Sequence, residues 1–80
     1  MREPMEEFDR ITRNPAVMGG KPCIRGMRVT VGVVVGLVGA GHSIEEILEA
    51  YPYLEREDIL QAVRYAATLA QDREIVLAEA

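Results

Sequence analysis

The residues able to do chemistry in this 80-residue chain are few and unevenly placed. Arg10, Arg13, Lys21, Arg25 and Arg28 fall within residues 10–28, a stretch that contains no acid. Arginine presents a planar fork of donors suited to bidentate contact with phosphate or carboxylate. Arg13, Lys21, Arg25 and Arg28 are interleaved with glycines, which let a backbone come close to a partner. Such a block binds an anion even in an acidic chain, because fields act over roughly 8–10 Å at physiological salt. The competing reading is structural. Residues 29–80 carry nine acids against three bases, so the arginines can pair with them within or between protomers.

Other chemistries are poorly supplied. Gly19-Gly20-Lys21 lacks the spacing of a phosphate loop, and Pro22 stands where that motif needs Ser or Thr and a helix start. One cysteine, Cys23, and one histidine, His42, make no disulfide and no structural zinc site. Cys23 has no His or Asp at a recognisable motif spacing and reads as an inert buried thiol. His42 follows Gly41 at a helix junction and reads as a turn residue. Paired carboxylates in a cleft, a catalytic triad and a metal constellation all fail to assemble, so no enzyme, cofactor or small-molecule substrate is expected. Tyr51, Tyr53 and Tyr65 read as core or interface anchors.

Composition narrows the class further. Nearly half the residues are hydrophobic, which fits a folded core. The net charge of −4 argues against a purely electrostatic nucleic-acid binder. Residues 1–9 hold four acids and one base and read as a frayed acidic tail, with no secretory leader. The uncharged run from Val29 to Ile44 is too short for a bilayer and is broken by four glycines. With the lone thiol, this points to the cytoplasm. A single domain this small is marginally stable alone, so a homodimer is the default expectation.

The elements that must position the basic block follow from punctuation and periodicity. Residues 10–29 form a hook, broken by Asn14-Pro15, Gly19-Gly20, Pro22 and Gly26. Within it, residues 10–12 and 23–25 are predicted as short strands, with Gly19-Gly20 turning between them. Thr30 caps a first helix over 31–40, and Gly41 stops it. Gly32 and Gly36 share one face of that helix and would let another backbone approach. Ser43 and Glu46 make a capping box for a second helix over 43–51, whose Ile44, Ile47, Leu48 and Tyr51 face a core. Pro52 ends it. A third helix spans 55–71 with Ile59, Ala62, Val63, Ala66 and Ala70 on its apolar side, and 73–80 extends or frays it. The fold class is mainly α: a trihelical helix-turn-helix core with a short N-terminal β-hairpin or extended hook.

The blocks Gly19-Gly20-Lys21-Pro22-Cys23-Ile24-Arg25-Gly26-Met27-Arg28-Val29, Gly41 to Ile47, Tyr51-Pro52-Tyr53-Leu54, Glu57-Asp58-Ile59 and Tyr65-Ala66 resemble a known family. This is the family of small prokaryotic proteins catalogued as domain of unknown function 433, and the likeness covers about two-thirds of the chain. The resemblance implies a homeodomain-like or winged-helix-like fold. It also implies an antitoxin of a type II toxin–antitoxin pair, with a PIN-type nuclease as partner and operator DNA as a second one. The hook's arginines would then meet DNA phosphates or the acidic metal site of the nuclease. The chain departs from the family pattern at Met27, where Thr is usual, and at Glu55, where Ser or Thr usually opens the third helix.

In such a fold the third helix is the default DNA reader, with Arg56, Arg64 and Gln61 as its candidates. Its first turn, Glu55-Arg56-Glu57-Asp58, carries three acids, which repel a phosphate backbone. Acids at a helix start have a plainer use, because they complement the positive end of the helix dipole.

Overall fold

The structure, a computed structural model, describes residues 8–72. Three helices and a small sheet share one core. Strand β1 (Ile11–Thr12) pairs antiparallel with β2 (Cys23–Ile24), Ile11 opposite Ile24 and Thr12 opposite Cys23. A second tight reversal follows immediately. Arg25 and Gly26 both adopt positive φ, 46° and 73°, and the chain doubles back so that Cys23 bridges Thr30. The Ile24 amide donates to the Val29 carbonyl at 2.9 Å. Arg25, the last residue of the strand predicted over 23–25, therefore belongs to a turn, one residue beyond the observed strand. Gly19-Gly20 lie in a tight turn between the strands as expected, Met18–Gly20 forming a 3-10 turn within a longer connection.

Helix α1 (Val31–Gly39) starts where Thr30 Oγ1 accepts the Val33 amide at 3.1 Å. It ends in a Schellman closure. Gly41 at φ 97° donates to the Val38 carbonyl and His42 to that of Leu37, satisfying carbonyls left over by the last turn. Helix α2 (Ile44–Ala50) opens with the expected capping box, Ser43 Oγ accepting the Glu46 amide and Glu46 Oε1 accepting the Ser43 amide. Helix α3 (Arg56–Asp72) is the longest element. The boundaries agree with the sequence reading to within a residue at each end.

The core gathers one face of each piece. Val31 and Val34 of α1, Ile47 of α2 and Ile59, Ala62 and Tyr65 of α3 close over Ile11, Ile24 and Val29. Phe8 corrects the view of residues 1–9 as an acidic tail. Its ring is buried and meets Tyr65 edge-on at 5.4 Å, so the one phenylalanine anchors the chain where the tail was expected. The expectations for residues 1–7 and 73–80 lie outside the described residues. Among those described, no helix is long and apolar enough to cross a membrane.

Candidate binding surface

The candidate surface is organised around one buried carboxylate. Asp58, on the first turn of α3, has no exposed surface. Its Oδ1 accepts from Arg10 Nη1 at 2.9 Å and Arg25 Nε at 3.1 Å, and its Oδ2 accepts from Arg25 Nη2 and the Glu55 amide, both at 2.8 Å. The carboxylate thus ties up a free amide at the helix start and two guanidinium groups from the hook. Burial pushes the Asp58 carboxyl up, but hydrogen bonds from Arg25, the Glu55 amide and Arg10 outweigh it, and the net pKa lies below the ordinary value. Arg10 also donates to Glu55 at 2.7 Å, and the bonds it gives to Glu55 and Asp58 raise its already high pKa.

Arg25, singled out in the sequence as an anion ligand, is therefore spent inside the molecule. Its left-handed backbone aims the guanidinium inward, where Nη2 also donates to the Tyr53 carbonyl at 2.9 Å. Gln61, a candidate reader of bases, is buried. Its Oε1 accepts the Arg10 amide at 3.1 Å and its Nε2 donates to Asp9 at 2.8 Å. Arg64 pairs with Glu57 at 2.8 Å, and Arg56 lies 3.9 Å from Glu45. Both arginines thus stand beside carboxylates of α2 and α3, Glu45 and Glu57. Glu46 is held below the usual carboxylate range, first by the Ser43 amide and then by nearby His42.

Arg13, Lys21 and Arg28 differ from the other candidates. All three are exposed, and none makes an ion pair or side-chain hydrogen bond among the described residues. Arg28 lines a shallow hollow of about 390 Å³ with Met27, Val29 and Tyr53. The Tyr53 ring is 54% exposed and stands edge-on to Tyr51 at 6.1 Å. Its main chain is pinned by Arg25, so the hollow is fixed to the core through Asp58. Arg, Tyr and Met together are the residue types enriched where proteins meet.

Two residues that organise the site escaped the sequence reading. Asp58 was assigned only to the helix dipole, and Arg10 only to the basic block. The available signal for Asp58 was its place three residues after Glu55, the spacing of a side chain that reaches back to cap a helix. Cys23 is buried, with Sγ 3.3 Å from the Lys21 carbonyl, as an inert thiol should be. Among the described residues no group of three or more His, Cys, Asp or Glu side chains is arranged to hold a metal ion.

Comparison with known proteins agrees with this architecture. A protein of Sinorhizobium fredii (strain NBRC 101917 / NGR234), described as uncharacterized protein y4eO, is 48% identical over 56 residues. That match takes in 70% of this chain and 25% of the relative, so the chain spans about a quarter of the length of the curated protein it matches. The crystal structure of a DUF433 member protein from Anabaena variabilis ATCC 29413 superposes with a TM-score of 0.72 at 26% identity, covering 90% of this chain and 80% of that one. The family profile described as "Protein of unknown function (DUF433)" matches residues 11–66, from β1 through the middle of α3. That match takes in well over half of the chain, and the chain belongs to the DUF433 family.

Proposed function

We propose that this protein is the antitoxin of a type II toxin–antitoxin pair, a non-enzymatic cytoplasmic module that docks on a PIN-type nuclease. The hook is its working surface, and Arg13, Lys21 and Arg28 meet carboxylates of the partner. The antitoxin assignment rests on the family resemblance, and the choice of surface rests on geometry. The observation that carries it is the division of the cations. Arg10 and Arg25 of the hook and Arg56 and Arg64 of α3 are engaged with carboxylates of this chain, while Arg13, Lys21 and Arg28 have no such partner among the described residues.

The same division argues against α3 as a reader of the major groove. A groove-reading helix needs free donors for base edges and cations for phosphates. Here Gln61 is buried, Arg64 is paired with Glu57, and Arg56 stands beside Glu45. A partner-binding module that touches no DNA is the form of this reading that these pairings favour. Operator binding, if carried by the hook, would neutralise at most three phosphates per protomer. The slope of log affinity against log salt would then be no steeper than about −2.7 per protomer.

Co-expression with the product of the neighbouring open reading frame, which this reading takes to be a PIN-type nuclease, tests it. We expect a complex that survives purification and suppresses the nuclease, lost in Arg13→Ala/Lys21→Ala/Arg28→Ala and kept in Arg56→Ala/Arg64→Ala. Retardation of upstream DNA that depends on Arg56 and Arg64 would contradict it.

A further inference from the structure

We infer, on the reading of the hook as the partner surface, that the hollow at Arg28 receives a carboxylate-bearing side chain and its apolar neighbour from a protruding acidic segment of the partner. Two stretches distant in sequence build the hollow. Met27, Arg28 and Val29 follow the second reversal of the hook, and Tyr53 stands at the corner between α2 and α3. Both walls are held from behind. The Met27 amide donates to the Ile24 carbonyl at 2.8 Å, and the Val29 carbonyl accepts from the Ile24 amide. The Tyr53 carbonyl takes its bond from Arg25, and Leu54, next in the chain, is buried in the core. Arg25 keeps this brace at a φ of 46°, a conformation that is costly for any residue with a side chain. A hollow ordered on folding needs little further ordering when it is filled.

Charge and lining select the occupant. Arg28 is the one charged residue in the lining, and it has no ion pair or side-chain hydrogen bond among the described residues. One guanidinium fork matches one carboxylate. The other lining side chains, those of Met27, Val29 and Tyr53, offer apolar surface for a neighbouring side chain to cover. At about 390 Å³ the hollow is at the small end of ligand pockets, which run to roughly 300–1,000 Å³. It has room for a side chain or two. A nucleic-acid backbone would need a row of cations where the hollow has one. Its concavity decides the rest. Carboxylates recessed in a cleft cannot enter a second recess, so the carboxylate that meets Arg28 stands on a convex, extended segment and not inside a metal-binding cleft.

Nuclear magnetic resonance of the isotope-labelled full chain tests this with two blocked tripeptides, acetyl-Leu-Glu-Leu-amide and its Gln counterpart. The Glu peptide should shift the amide resonances of Arg28, Val29 and Tyr53. Its dissociation constant should be on the order of 1 mM, because one exposed ion pair and one apolar contact are weak. The Gln peptide, and the Glu peptide on Arg28→Ala or Tyr53→Ala, should bind at least threefold more weakly. Both variants change exposed side chains, and Tyr53→Ala keeps the main-chain carbonyl that Arg25 holds, so circular dichroism should show the fold intact. Equal shifts from the two peptides, shifts centred away from the hollow, or none at tenfold that concentration overturn the inference. So does a short DNA duplex that moves these resonances where the peptide does not. The nuclease takes no part in this test, so a failed complex beside intact peptide binding counts against the toxin–antitoxin reading alone.

Discussion

Asp58 is the side chain on which the most depends. Asp58→Asn leaves two partly exposed guanidinium groups without their carboxylate and should cost about 1–3 kcal/mol by urea denaturation. That is a sizeable share of the roughly 5–15 kcal/mol typical of a whole domain. A loss below about 1 kcal/mol would show that the clamp is ornamental. The same group sets an acid-side pH dependence. Its folded pKa is depressed, and an unfolded Asp titrates near about 3.9, so the stabilisation is complete above that value and lost as pH falls through the lower, folded one. The urea midpoint should stay level from pH 7 to about 5 and drop below about pH 4, and Asp58→Asn should flatten that drop. At this scale the sequence was least informative. Arg25 and Gln61 were legible as polar residues near the right elements, but whether a guanidinium faces outward or inward is decided by a backbone φ of 46° and a carboxylate 33 residues away. Neither is visible in a list of residue types.

The elements were far more legible, because their ends are written in local chemistry. Thr30, Gly41 and the Ser43–Glu46 pair all act where spacing placed them. Gly41 allows a sharp check. At φ 97° any side chain is strained, so Gly41→Ala should cost about 1–2 kcal/mol and lower the melting temperature by several degrees. Ser43→Ala should cost about 1 kcal/mol through its lost cap. Unchanged melting in both would mean that the α1–α2 corner is held by packing alone. The hook was less legible. Its glycines and prolines announced turns, but two reversals within residues 11–30 depend on pairings with Val29 and Thr30 that no short motif encodes. Phe8 was missed for a related reason, since four acids in nine residues hid one aromatic whose partner, Tyr65, lies 57 residues on.

For the whole molecule, the charge pattern of the sequence becomes a division of labour in space. The acidic excess of residues 29–80 is mostly on the α2–α3 side, where it holds Arg10, Arg25, Arg56 and Arg64. What is left over for a partner is the outer hook, with Arg28 beside Tyr53 in a hollow anchored to Asp58 through Arg25. The notion that a helix-turn-helix layout must read DNA through its last helix fits this arrangement poorly, because fold alone does not carry function. The central claim is that the hook cations engage an acidic protein surface. Its most direct test is calorimetric titration of the proposed partner, a PIN-type nuclease, with this protein and with its Arg28→Ala variant. The account predicts saturable binding that weakens at least tenfold in the variant and falls further as salt is raised. Equal affinity for both proteins, or no binding at low salt, would contradict it.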